Sequence, residues 1–286
     1  MTAWSLPSTR AGRLAEAPAR HELLFSALML ACASAMSDRV LTAVEAGWIT
    51  AATNTFYVSA IVWGALWLAG SLVLDPGKEP VAYARRSDWI AIALALPAIL
   101  APFLLLNWMA LTGLAIYVVF TSASRSRQQR GALIFLALSV PMFWSPRLAS
   151  LASEVVLAVD AEFVSWILGT ERVGNTVPFP GGSGYLYIAP GCSSIANVSL
   201  AILCWVAFGQ FSNRGATLRD GVWLAAACAG VVAINVSRIS LIGFFPSWYD
   251  FIHNSATGTM IASYATLAVI LTICGFWKRR EIFAPA

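Results

Sequence analysis

Long apolar runs, separated by short clusters of arginine and lysine, dominate the pattern along this chain. A spanning helix needs about 20 predominantly apolar residues, with about 17–25 as the working range. Eight runs fit that measure or come close to it: roughly 22–37, 55–74, 89–104, 106–121, 131–146, 192–211, 221–240 and 254–277. The first and fifth are short. The stretch 90–120 carries no charge over 31 residues, too long for one ordinary pass. Pro97, Pro102 and Asn107 lie within it, and proline disfavours an uninterrupted helix, so a tight helical hairpin is expected.

One long segment, 147–190, interrupts the alternation. Its first part, Leu148 to Leu168, reads as helical, with Glu154, Asp160 and Glu162 among apolar residues. It is expected to lie on the membrane or to dip into it. The second part, Val173 to Pro190, is rich in Gly, Pro and aromatic residues. Pro180-Gly181-Gly182-Ser183-Gly184 is a turn signal and Tyr185-Leu186-Tyr187-Ile188 is strand-like. Loops longer than about 12–15 residues are often functional, so this one reads either as a structured cap or as an ordinary surface loop. The expected fold is all-α: a polytopic membrane helical bundle of about eight transmembrane helices with a partly structured extracytoplasmic loop. Residues 1–286 form a single integral membrane domain, with five spans in 22–146, the loop in 147–190 and three more spans in 191–277. No internal repeat or low-complexity block is present.

Composition supports the bilayer. Of the 286 residues, 59% are hydrophobic and 11% charged, and mean hydropathy is +0.73; soluble domains carry about 25% charged residues. Tryptophan settles at membrane interfaces, and the chain has 12. The net charge of +4 does not point to nucleic acid, because the basic residues are dispersed among loops.

Charge also orients the spans. With the N-terminus in the cytoplasm, the cytoplasmic segments hold Arg10, Arg13, Arg20, Lys78, Arg85, Arg86, Arg125, Arg127, Arg130, Arg214, Arg219, Lys278, Arg279 and Arg280. The opposite face keeps only Arg39, Arg147, Arg172 and Arg238 of the 18 basic residues. Reading 90–120 as one span would put Arg125, Arg127 and Arg130 outside, so eight spans with both termini cytoplasmic is preferred. A rival reading of the N-terminus is a signal peptide: arginines precede Leu23–Ala31, Ala33-Ser34-Ala35 resembles a cleavage site, and Met29-Leu30-Ala31-Cys32 faintly resembles a lipoprotein box.

Within this topology, three residues of chemical interest fall at the outer face. Cys192, in Ala189-Pro190-Gly191-Cys192-Ser193-Ser194-Ile195-Ala196-Asn197, opens a hydrophobic helix, where exposed N–H groups and the dipole favour a thiolate. The plain alternative is a small residue fitting a tight helix entry. Cys32, Cys204, Cys228 and Cys274 lie inside apolar helices and read as packing residues. No second cysteine is expected at the outer face, which argues against a disulfide. Arg238, in Asn235-Val236-Ser237-Arg238-Ile239, is a charge in an apolar run; such a charge costs several kcal/mol unless it is paired or reaches the interface. Its plain alternative is a snorkelling arginine. Asn235 shares its face and could hold the guanidinium or bind a substrate carbonyl. His253, in Phe251-Ile252-His253-Asn254, begins the last span after an aromatic loop and suits proton transfer. Alone it would read as an interfacial polar cap; beside Cys192 and Arg238 it reads as functional. Asp250 orients it or is simply solvated. Ser193 and Asn197 flank the thiol as supporting polar groups.

These residue types define a chemistry. A thiolate attacks a peptide carbonyl to form a thioester. An arginine stabilises the oxyanion. A histidine carries the proton between thiol and leaving amine. If the second nucleophile is not water, the result is transpeptidation.

The stretches Ala189–Ala196, Asn235–Ile239 and Phe251–Asn254, in this order on successive spans, resemble the exosortase/archaeosortase family of membrane transpeptidases. The likeness covers roughly 130–275, and the N-terminal half matches in hydropathy alone. The resemblance implies a Cys192/Arg238/His253 catalytic site in the core 191–277, at the outer face of the bacterial inner membrane. It implies exported protein substrates with a C-terminal sorting signal: a recognition motif, a transmembrane helix and a basic tail. The tail is removed and the protein passed to an acceptor that the sequence does not name. The familiar cysteine motif is Ala-Cys-Ser-Gly, whereas here Gly191 precedes Cys192 and Ser194 takes the glycine place, which leaves subfamily and recognition motif open.

Two other readings compete. Gly181-Gly182-Ser183-Gly184 matches the Gly-x-Ser-Gly of rhomboid serine proteases, with His253 as partner, but it lies in a turn-rich loop where Gly and Ser are already favoured. A non-enzymatic transporter or polysaccharide-export assembly protein is the other. Against it, Asp and Glu are nearly absent from the span interiors and no pair of broken helices suggests inverted repeats. No cofactor is expected, and no metal site: His21 and His253, the two histidines, fall on opposite sides and no cysteines are paired.

Overall fold

The computed structural model describes residues 18–151, 153–182, 184–213 and 217–282. Arg10, Arg13, Ser183 and Arg214, which carried expectations above, lie outside the described residues.

Helices dominate. In chain order they are α1 (Arg20–Glu45), α2 (Trp48–Thr53), α3 (Ala60–Leu74), α4 (Arg86–Leu100), α5 (Leu104–Thr121), α6 (Arg127–Ser139), α7 (Ser145–Leu151), α8 (Ser153–Leu168), α9 (Ile195–Phe211), α10 (Leu218–Phe244) and α11 (Ala256–Ile282). Two three-residue strands, β1 (Thr176–Pro178) and β2 (Tyr185–Tyr187), lie between α8 and α9. Among the described residues, five helical stretches are long and apolar enough to cross a membrane: Arg20–Glu45, Leu104–Thr121, Arg127–Leu148, Leu218–Phe244 and Thr257–Trp277. Ala60–Leu74 and Ile195–Phe211 are shorter apolar helices.

At α3 and α10 the helix starts differ from the apolar runs because caps set them, not hydropathy. α3 starts at residue 60, where Ser59 Oγ accepts the Ile61 N–H at 3.3 Å. Before it, Thr55, Phe56 and Tyr57 sit in the left-handed region, at φ of 50°, 56° and 55°, which ends the preceding helical turn. α10 starts at a reciprocal Thr217–Asp220 capping box. α6 runs on through a π-turn at Val140–Trp144, which contains Pro141, into α7. Pro141 supplies no N–H to the helical ladder, one recognised cause of such a break.

The 90–120 stretch is indeed two helices, α4 and α5, joined at residues 101–103. Asn107 closes this hairpin. Its Nδ2 lies 2.9, 3.0 and 3.0 Å from the carbonyl oxygens of Ala98, Ile99 and Ala101, at the end of α4 where helical acceptors lack partners. The α4 segment is offset from the predicted 89–104, because its first turn holds Arg86 and Asp88.

Most of the interior is one apolar cluster built from α1, α3, α5, α6 and α9, with Trp108 and Phe135 fully buried. Lipid tails are as apolar as leucine, so helices in a bilayer associate through close packing of small residues. Ala31, Ala69, Ala115, Ala132 and Ala201 are all fully buried. At Gly131 the helices approach closely: a Cβ there would stand 2.6 Å from Val73 Cγ2 and 2.7 Å from the Ala69 carbonyl oxygen. Ala33-Ser34-Ala35 lies inside an unbroken α1. A cut there would remove Leu24, Leu28, Ala31 and Cys32 from this core.

A buried polar knot ties the other end of α1 to α4, α5 and α6. Arg20, only 2% exposed, reaches both oxygens of Asp88 at 3.1 and 3.0 Å. It also donates to Thr121 Oγ1, Ser122 Oγ and Gln128 Oε1. Asp88 further accepts from Tyr117 Oη and the Arg85 N–H. Nearby, Arg130 donates to the terminal carbonyls of α9 at Gln210 and Phe211, where the helix dipole favours a cation.

A second, smaller cluster lies beside the candidate residues. Leu157, Ala161, Val164 and Leu168 of α8 pack with Val177, Leu186 and Ile188 of the hairpin and with Val236, Ile239 and Ile242 of α10. The expected strand at Tyr185–Ile188 is present as β2. Its partner β1 went unpredicted; Thr176 pairs with Tyr187, Val177 with Leu186 and Pro178 with Tyr185, antiparallel.

Candidate active site

Cys192 sits in a 3₁₀ turn, Pro190–Cys192, not in the first turn of α9. The helix begins at Ile195, three residues later than expected. The first N–H groups beyond the thiol are already taken: Ser194 N–H by Asp160 Oδ2 at 2.8 Å and Ile195 N–H by Ser193 Oγ at 3.2 Å. These two N–H groups at the start of α9 are therefore not available to the sulfur. Cys192 is partly buried and packs against the second cluster. All five cysteines are free.

Asn235 is buried, and of its two possible roles it does not take that of holding Arg238. Its Nδ2 donates to the Cys192 carbonyl oxygen at 2.7 Å and to Ser194 Oγ at 3.1 Å. This pair of bonds ties α10 to the cysteine turn. Arg238 follows three residues later on the same helix, on the same face. Its Nε is buried and has no hydrogen-bond partner. The other basic residues assigned to this face are engaged. Arg39 reaches the Met142 carbonyl, Arg147 lies 4.9 Å from the Phe143 ring centroid, and Arg172 pairs with Glu162.

His253 lies in a π-turn, Asp250–Asn254, just ahead of α11. Its ring is partly buried and tilts against Tyr249, with centroids 5.2 Å apart. The preceding Ile252 enters the same apolar cluster as Cys192, Val236 and Ile239. Asp250 does not orient the histidine: its Oδ1 accepts from Asn254 Nδ2 at 2.7 Å. Gly258 lets α11 close against this turn, since a Cβ there would run into the Phe251 carbonyl. Asn197 is half-buried on α9.

Cys192, the helix carrying Arg238, and the turn carrying His253 thus share one cluster. Among the described residues, no hydrogen bond or ion pair joins the three side chains directly. Two participants escaped the sequence reading. Asp160 is 3% exposed, and Ser194 donates to it through both its backbone N–H and its hydroxyl. The available signal was an acidic residue within an apolar helix. The described residues hold no group of three His, Cys, Asp or Glu side chains able to bind a metal ion.

No family model, curated protein or solved structure matches this chain.

Proposed function

We propose that this chain is an exosortase-like cysteine transpeptidase of the bacterial inner membrane, with eight spans and both termini cytoplasmic. It cleaves the C-terminal sorting signal of exported proteins at the outer face and passes them to an acceptor. The observation that carries the reading is the unpartnered, buried Nε of Arg238, on the helix whose Asn235 is bonded to the Cys192 carbonyl. A buried guanidinium nitrogen without a partner is costly. A transient oxyanion offers a partner during the reaction.

The chemistry then runs in two halves. The Cys192 thiol loses its proton to His253, and Sγ bonds to the scissile carbonyl carbon as the C=O electrons move onto oxygen. Arg238 stabilises that oxyanion. The intermediate collapses, the C–N bond breaks, and the leaving amine takes its proton from His253. An acceptor nucleophile attacks the thioester and releases the thiol.

The test is co-expression with a tagged exported protein that carries a C-terminal helix and basic tail, comparing wild type with Cys192→Ala. Loss of tail removal in a variant still present in the membrane is expected. A membrane-impermeant maleimide applied from outside should label Cys192. Equal tail removal by both proteins would overturn the thiol mechanism and favour a non-enzymatic or serine-based role.

A further inference from the structure

Asp160 is a buried carboxylate in an apolar helix, and among the described residues no cation pairs with it. Burying such a charge costs several kcal/mol unless its surroundings compensate. Both of its oxygens are engaged by one residue: Oδ2 takes the Ser194 N–H at 2.8 Å and Oδ1 takes the Ser194 hydroxyl at 2.6 Å. Ser194 makes no side-chain cap of its own at the start of α9. The carboxylate from α8 therefore occupies the position where a helix N-terminus favours an anion.

The charge also sets the direction of every bond that follows. An ionised carboxylate accepts only. The Ser194 hydroxyl must donate its single proton to Asp160, and its oxygen is then free to accept from Asn235 Nδ2 at 3.1 Å. The second proton of that amide goes to the Cys192 carbonyl at 2.7 Å. Residues 192 and 194 are thus gripped from two sides, by α10 and α8, and the amide orientation of Asn235 is dictated from Asp160. A neutral amide at 160 has nearly the same shape but can donate, so it would release this polarity.

We infer that Asp160 is a positioning residue for the Cys192 nucleophile, acting through Ser194 and Asn235. The inference rests on the thiol transpeptidase reading above. It does not place Asp160 in contact with substrate.

The experiment uses the full chain in membranes, with Asp160→Asn, Ser194→Ala, Ser194→Thr, the double variant Asp160→Asn/Ser194→Ala, and Cys192→Ala. Tail cleavage is followed for kcat and KM, and Cys192 alkylation by an impermeant maleimide is read alongside. Asp160→Asn and Ser194→Ala should each lower kcat about tenfold or more at nearly unchanged KM, because misplacing a reacting group carries that scale of loss. The double variant should be no worse than either single, as expected for residues in one network. Ser194→Thr, which keeps the hydroxyl, should retain activity. The alkylation rate should change about threefold or more in Asp160→Asn and Ser194→Ala, and not in Ser194→Thr. Wild-type kcat and alkylation in Asp160→Asn would overturn the positioning role, as would equal damage from Ser194→Ala and Ser194→Thr. Cleavage that survives Cys192→Ala would instead sink the transpeptidase reading. The alkylation comparison needs no substrate, so it still decides whether Asp160 governs the cysteine turn.

Discussion

Arg238 shows how a single residue separates charge from geometry. Its Nε is buried without a partner, while Arg39, Arg147 and Arg172 are all engaged. If Arg238 works as a planar donor fork, lysine is a poor replacement, because an ammonium is a point charge that cannot reproduce the paired N–H geometry. Arg238→Lys should therefore lower tail-cleavage kcat by about 10²-fold, with the protein still in the membrane. Wild-type turnover in that variant would reduce Arg238 to a source of positive potential. Asn235 teaches the complementary lesson. Its proximity to Arg238 along the helix was legible, but its hydrogen bonds go to Cys192 and Ser194, 43 and 41 residues away in sequence.

The α4–α5 hairpin depends on one polar side chain at the level of secondary structure. Asn107 meets three carbonyls at the end of α4, and no water is available in an apolar setting to replace it. Asn107→Leu keeps a similar volume and removes those donors. A loss of about 1–3 kcal/mol is expected from acceptors left unsatisfied, read as a lower midpoint in thermal unfolding of the detergent-solubilised protein. An unchanged midpoint would mean the carbonyls find other donors. The hairpin itself was foreseeable from an uncharged run too long for one pass and broken by Pro97 and Pro102. The β1–β2 pairing was only half foreseeable: the turn and Tyr185–Ile188 were marked, whereas Thr176–Pro178 ends in a proline and carries no alternating pattern long enough to notice.

At the scale of the molecule, two apolar clusters and one polar knot hold the helices together among the described residues. The knot joins Arg20 to Asp88 across 68 residues of chain, with both side chains almost fully buried. Removing one partner leaves an uncompensated buried charge, a loss of about 3–5 kcal/mol. Arg20→Met should thus greatly reduce the amount of folded protein recovered from membranes. The double variant Arg20→Met/Asp88→Leu should recover part of it, since no lone charge remains. A double variant worse than the single would show that Asp88 is held well enough by Tyr117 and the Arg85 N–H.

Hydropathy and charge are local properties, and the chain alone determined what depends on them. The apolar runs, the helical character of 148–151 and 153–168, the 90–120 hairpin and the candidate chemistry of Cys192, Arg238 and His253 could all be read in sequence order. Tertiary structure decided what depends on partners brought from far along the chain. It set Cys192 in a turn ahead of α9, gave Asn235 to the cysteine carbonyl, and turned Asp250 toward Asn254. It also buried Asp160 against Ser194, 34 residues away. A hydrogen bond forms only where packing brings a donor and an acceptor within about 3 Å in the right direction. No window of sequence holds that information when the two groups lie on different helices.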